Sequence, residues 1–373
     1  MQHLFIVTFT ILISTLVVNG AYQYAERIED CPQLQPRAPP TSVRDLRADD
    51  IKAVGALGDS IMAGAVSKGL QGSRTLNINI AMEDRGVTYG GGGNPGAITI
   101  PNYIKHYSPN VIGGSVGEHW VEFCYFGLCP KWQYHPEKDR FNAAQSAAMS
   151  FDLGMELDYL IPAMRKARGL DFENDWKMIT IQIGSVDQCY ICSIYGPLLT
   201  PEAYERSLDS ALRRIRKEVP RVLVNLIGVF NVTNVYEVTT GNPYCSATIF
   251  GDFQTNSLEC FCATHGFKKE VDIAAVAFNS IVFKLAKKYN EFNDPMFGIM
   301  YTPAHVDLAT LPIQMFSDGD CFHPSIIGHG TFAKTYWNTF WKPLENIPSI
   351  YSVNDYNRVI CPGEEDRFQL KAL

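Results

Sequence analysis

Four short apolar runs, separated by stretches of helical periodicity, restrict this chain to very few architectures. Ile51–Leu57 (IKAVGAL) ends at Gly58 and Trp176–Ile183 (WKMITIQI) at Gly184, while Arg221–Phe230 (RVLVNLIGVF) and Met296–Tyr301 follow the same pattern. Each is apolar along most of its length rather than alternating, the mark of a strand covered on both faces. Between them, Phe141–Arg168 carries Leu153, Leu157, Leu160, Ile161 and Met164 at helical spacing. Thr200-Pro201-Glu202 supplies an N-cap, an N1 proline and a first-turn acid for a helix running to about Val219. An amphipathic helix covers Lys268–Tyr289, and another starts after Pro324. Strands alternating with helices predict parallel βαβ units in an α/β sandwich. In such sheets the chemistry sits beyond the carboxyl ends of the strands. Residues 85–140, full of Gly, Pro and aromatics, are expected to be loop-rich.

The rest of the chain bounds its setting. Its 373 residues, 46% hydrophobic and 19% charged, are long enough for a large core and exclude intrinsic disorder. The net charge of −7, with no Lys/Arg-dense run, excludes a nucleic-acid partner held by counterion release. Leu4–Val18 is a nearly unbroken apolar run, shorter than the ~20 residues a spanning helix needs. Residues 1–20 are therefore expected to be a signal peptide, with an uncleaved anchor as the alternative. Export as a secreted, extracellular protein with no stable membrane anchor follows from that expectation. Residues 21–45 read as an extended lead-in, 46–345 as the folded domain and 346–373 as a C-terminal tail.

Ten cysteines suit an oxidising compartment. Cys189-Tyr-Ile-Cys192 has the spacing of a redox pair or a zinc half-site, but Cys260-Phe-Cys262 is too tight to complete a zinc site. Structural disulfides are the preferred reading, with near-neighbour pairs such as Cys124–Cys129 and Cys189–Cys192 among the possibilities. Asn231-Val232-Thr233 is a glycosylation sequon. No metal and no cofactor is expected, and the sequence is silent on oligomeric state.

The first strand is followed at once by Gly58-Asp59-Ser60-Ile61, a serine at a strand end that needs a base to become a nucleophile. Near the other end, Asp318-Gly319-Asp320-Cys321-Phe322-His323-Pro324 places Asp320 three residues before His323. That spacing lets the carboxylate orient the imidazole, which could then take the proton of Ser60. Gly113-Gly114-Ser115-Val116-Gly117 fits a nucleophile elbow but lacks the strand and helix that an elbow requires, so it reads as a loop. Gly91-x-Gly93-x-x-Gly96 matches a dinucleotide fingerprint, yet no helix is expected before Pro101. His106, His119, His135, His265, His305 and His329 read as surface or packing residues.

Gly58-Asp59-Ser60 and Asp320-Cys321-Phe322-His323-Pro324-Ser325 resemble the first and last blocks of the GDSL/SGNH hydrolases, and the chain resembles their phospholipase B-like branch over about residues 50–345. Arg85–Tyr89 through Pro101–Ile104 fits that branch's long loop. Phe141–Ala144 fits its second block, Ile179–Gly184 its third, and Cys189, Cys192 and Glu259–Cys262 its cysteine placements. The resemblance implies a flavodoxin-like three-layer α/β/α fold with a central parallel sheet, braced by disulfides. It further implies hydrolysis of acyl esters of phospholipids or lysophospholipids by Ser60, Asp320 and His323, so the expected partner is a lipid or small ester substrate.

Two positions depart from the family pattern. The second-block glycine is Ala147, and the third-block asparagine is Val186. Both fall on the oxyanion hole, whose remaining donors would be the backbone amides of Ser60 and Ala147. Valine removes a donor of a kind worth about 10²–10³ in kcat. Two readings follow: a secreted serine ester hydrolase with an impaired oxyanion hole, or an inactive relative that binds a lipid or a protein partner.

Overall fold

The computed structural model describes residues 22–370, apart from 74, 76, 125, 126, 249–251, 305 and 352–356. The expected signal peptide lies outside the described residues. The four apolar runs form one parallel sheet of β1 (Ile51–Gly58), β2 (Trp176–Gln182), β3 (Val222–Ile227) and β4 (Phe297–Thr302), in that order. Registers such as Ala56 beside Thr180 and Leu226 beside Tyr301 run the strands in step.

Side chains leave the two faces of these strands alternately, which makes three layers. On one face Val54, Ala56, Met178, Leu223 and Met300 meet Tyr103, Ile104, Phe332, Tyr336 and Trp337. These aromatics sit on the helices α2 (Ile100–Tyr107) and α7 (Ile326–Phe340). On the other face Leu57, Ile179, Ile181, Val224 and Ile299 join one core with Leu157, Leu160, Tyr204, Leu208, Leu212, Phe278 and Leu285. These belong to α3 (Leu153–Lys166), α5 (Pro201–Glu218) and α6 (Lys268–Asn290). The fold is thus a three-layer α/β/α sandwich. Among the described residues, no helix is long and apolar enough to cross a membrane.

Three sequence expectations change. Helical periodicity suggests a helix from Phe141, but α3 begins at Leu153. The preceding residues are drawn into the sheet edge instead: Ala56 N–H donates to Phe141 O (2.9 Å) and Ala143 N–H to Ala56 O (2.8 Å). Residues 85–140, expected to be loop-rich with no helix before Pro101, contain α2; Thr99 caps it by accepting from Asn102 N–H, and Pro101 sits in its first turn, where a missing N–H costs nothing. A helix thus follows the glycine fingerprint, but Pro95 still removes an amide from that loop. The glycines answer to packing: a Cβ on Gly91 would lie 2.5 Å from Asn142 Nδ2.

The cysteine pairing is the third change. Cys124–Cys129 forms, but Cys189 and Cys192 do not join each other. The helical turn between them aims one sulfur at Cys260 and the other at Cys262. Cys31–Cys361 and Cys245–Cys321 complete five disulfides that use every cysteine. The residues beside Cys31 and Cys361 also pair as strands, Gln23–Ala25 antiparallel to Val359–Cys361, and Trp337 Nε1–H of α7 donates to Ile360 O (2.8 Å).

The turn after β1 depends on close backbone approach. Gly58 has φ +156°, and a Cβ there would lie 2.3 Å from Gln182 O and 2.9 Å from Met62 Cβ. Gly58→Ala should therefore lower stability by about 2–4 kcal/mol, measured by urea unfolding of the purified protein.

Candidate active site

Ser60 opens a short helix, α1 (Ser60–Ala63), at the carboxyl end of β1. Asp59 caps that helix, its Oδ1 accepting from Ile61 N–H (3.1 Å), and Gly64 ends it in a left-handed conformation (φ +84°). As the first helical residue, Ser60 has a backbone N–H with no partner inside the helix. The other Oδ of Asp59 accepts from Ser185 N–H (3.2 Å), the first residue of α4 (Ser185–Tyr190). One buried carboxylate thus joins the helices that follow β1 and β2. Burial pushes its acid up, although those bonds and the nearby His323 act in the opposite direction.

The loop before α7 brings Asp320 and His323 to the same place. Asp320 Oδ1 accepts from the backbone N–H groups of Phe322 (3.0 Å) and His323 (3.1 Å), which fixes the carboxylate in its own turn. Its Oδ2 lies 2.6 Å from His323 Nδ1, and His323 Nε2 lies 2.7 Å from Ser60 Oγ. Cys321, between the two residues, sits at φ +49° and is bonded to Cys245. Burial disfavours the charged imidazole, but Asp320, then Glu259 and Asp59, outweigh it and push His323 up to about 9.

Ser60 and His323 open into a cavity of about 290 Å3 whose wall includes Val66, Val121, Phe123, Ala147, Val186, Leu258, Glu259 and Phe322. Ala147 and Val186, the two positions where the resemblance leads one to expect glycine and asparagine, both face it. Ala147 has φ +62°, a left-handed conformation that costs alanine about 1–2 kcal/mol and glycine nothing. Val186, on the first turn of α4, presents an apolar group to the cavity. Two further serines of the cavity wall have their hydroxyls engaged elsewhere. Ser146 Oγ donates to Glu83 Oε1 (2.6 Å), and the Ser185 side chain hydrogen-bonds Asp59.

Residues that sequence reasoning missed hold the Ala147 loop. Arg85, wholly buried, donates from its two Nη atoms to Ala144 O (2.9 Å) and Asn142 O (2.6 Å). Its charge is met by Asp139 (2.8 Å from Nε) and Glu83 (3.1 Å from Nη1). His119 joins through Asp139 Oδ1 (2.9 Å), so it is a buried member of an ionic network and not a surface residue. Despite burial, Arg85 and His119 keep the Asp139 carboxyl below its usual range. A charged residue in a glycine-rich stretch was the available signal.

The remaining candidates take no part in the Ser60–His323–Asp320 contacts. Ser115 is buried, and its Oγ donates to Arg85 O (2.7 Å) and Gly91 O (3.0 Å), so the elbow-like motif packs a loop. His329 accepts from Tyr89 N–H (3.3 Å), and burial, with His323 nearby, lowers it to about 3. Asn231 follows β3; its Nδ2 donates to Asp272 (2.9 Å) and its Oδ1 accepts from Thr233 N–H. Cys124 and Cys129 lie near Asp152, but their sulfurs are in a disulfide and are not free as ligands. In Asp187, burial raises the carboxyl to about 7 even though it accepts from Ser150 N–H and Oγ, which ties α4 to the segment before α3.

The family described as GDSL-like lipase/acylhydrolase matches residues 54–335. The membrane-associated phospholipase B1 of Homo sapiens is 28% identical over 347 residues, covering 88% of this chain and 22% of that protein. The same enzyme of Mus musculus is 27% identical over 356 residues, covering 91% and 22%. The chain thus spans about a fifth of the length of the curated relatives it matches. Among solved structures, a variant of an acetyl xylan esterase from Geobacillus stearothermophilus aligns over 76% of this chain and 91% of that one, at 14% identity and a TM-score of 0.37.

The raised His323 makes a stability prediction. A histidine raised from 6.5 to about 9 stabilises the fold most fully below pH 6.5, and that contribution is lost as pH rises through about 9. The stability advantage of the natural protein over His323→Gln should therefore shrink across that window, measured by chemical denaturation at a series of pH values.

Proposed function

The chain belongs to the GDSL-like lipase/acylhydrolase family, and from that premise we propose that it is a secreted serine ester hydrolase acting on acyl esters of phospholipids or lysophospholipids. The observation that carries the reading is the 2.7 Å contact between His323 Nε2 and Ser60 Oγ, with Asp320 2.6 Å from the far ring nitrogen. In this mechanism His323 takes the Ser60 proton as Oγ bonds to the ester carbonyl carbon. Asp320 holds the ring and stabilises the imidazolium. The carbonyl electron pair moves to oxygen, where the Ser60 and Ala147 amides are the proposed donors. Collapse of that adduct expels the alcohol, which receives the proton from His323, and a water then repeats the sequence to free the acid and restore Ser60. The apolar wall of Val121, Phe123, Leu258 and Phe322 suits an acyl chain.

Export is part of the proposal. It is supported by five disulfides that leave no free cysteine and by the apolar leader. Asn231 is the proposed glycan acceptor. A second reading, a relative that binds a lipid or a protein partner without turnover, is favoured by one observation: Val186 stands at the cavity wall where the family carries its asparagine.

Purified protein should release fatty acid from lysophospholipid vesicles, and Ser60→Ala should reduce this to background; equal rates for the two would leave only the binding reading. Because the base must be neutral, activity should climb with pH and reach half of its plateau near 9. Val186→Asn should raise kcat by roughly 10²-fold by restoring a donor. An unchanged kcat would mean that the backbone amides suffice.

A further inference from the structure

Glu259 is a third carboxylate at this centre, and the Ser60–His323–Asp320 chemistry does not use it. Its carboxylate, that of Asp320 and a ring nitrogen of His323 all lie within 4.8 Å of one another, and all three residues line the cavity. The position is held from both sides. Tyr236 Oη donates to Asn256 O (3.2 Å) and accepts from Cys260 N–H (3.1 Å). Cys260 is bonded to Cys189 of α4, while Cys321 ties the opposing loop to Cys245. Glu259 and the Asp320–His323 turn are thus anchored independently and converge on the imidazole.

We propose that Glu259 is a second carboxylate partner of His323, a positioning residue that shares with Asp320 the stabilisation of the imidazolium and sets the pH at which Ser60 is activated. The inference rests on the hydrolase reading for its consequence, not for its geometry. Two carboxylates beside one imidazole favour its charged form more than one does. The same charge that eases proton transfer from Ser60 also keeps the resting ring protonated to higher pH. Burial and then Asp320 raise the Glu259 acid to about 7, so it is charged where the ring titrates, and over that range it trades activity on the acid side for a faster rate once the ring is neutral.

The groups facing His323 are few enough to assign the effect. Asp320 comes from its own turn, Glu259 from the 255–260 segment, Asp59 from the end of β1, and neutral His329 from α7. Tyr236 packs its ring on Phe322, and burial raises its hydroxyl, leaving it uncharged. Only Glu259 among the carboxylates here is neither a helix cap nor hydrogen-bonded to the ring, so its charge can be removed without dismantling the turn.

The test uses the full chain. The His323 ring signal, assigned by its loss in His323→Gln, is titrated by NMR in the natural protein, Glu259→Gln and Glu259→Asp, and the pH profile of lysophospholipid hydrolysis is recorded for each. In Glu259→Gln the His323 midpoint should fall by about one pH unit. The acid limb should fall with it, relative activity should rise below the old midpoint, and the high-pH plateau should drop; Glu259→Asp should lie between. An unchanged midpoint overturns the proposal, whether or not the plateau drops. If the natural protein shows no turnover the hydrolase reading fails, but the titration still decides whether Glu259 acts on His323.

Discussion

The buried carboxylate of Asp59 is the constraint on which the rest of the site depends. It caps the helix that begins at Ser60 and accepts from the first amide of the helix that begins at Ser185. Two adjacent strands of the sheet end against one another, so their following helices must start side by side, each with unsatisfied N–H groups and the positive end of its dipole. A single anion between them satisfies both. It fixes Ser60 relative to the wall that carries Val186, and it leaves the Ser60 hydroxyl free to meet a base arriving from the far end of the chain. Glu156 does related work one residue earlier, accepting from Gly58 N–H (3.0 Å) with its acid pushed well up by burial.

The Ala147 side of the cavity is held by different means. Residues 141–146 run along the edge of β1 and owe their path to Arg85, whose guanidinium has no solvent and bonds two backbone carbonyls of that segment. A buried cation of this kind is costly unless fully paired, and Asp139 and Glu83 provide the pairing. The segment then turns through Ala147 in a conformation glycine would adopt freely. The chain therefore accepts strain at Ala147, while at Val186 it presents an apolar group to the same cavity.

Much of this was legible in the sequence. The four apolar runs specified the sheet because nothing but burial on both faces explains strands without alternation. Asp320 and His323 were readable as partners because three residues in one turn is a local distance. What was not legible depended on contacts between distant segments. The helix expected from Phe141 fails because hydrogen bonds to β1 compete for the same residues. Cys189 and Cys192 look like a pair in one dimension and are two separate staples in three. Arg85, Glu83, Asp139 and His119 come from separate short elements, and no spacing rule connects them. Glu259 was visible only as a neighbour of a cysteine.

The clasp formed by Cys31–Cys361 and the paired strands beside it has a mechanical consequence. It closes residues 31–361 into one covalent circuit, and beyond it the chain still folds back, Phe368 N–H donating to Leu46 O (3.0 Å) and Gln369 N–H to Phe340 O (2.9 Å). A force pulling on the two ends would therefore first strip this short segment and then load the one linkage and the ribbon beside it. The sheet and the loops meeting at Ser60 lie within the closed circuit. Tethering the protein by either end, or threading it between neighbours in a longer chain, would leave the geometry of the site unstretched.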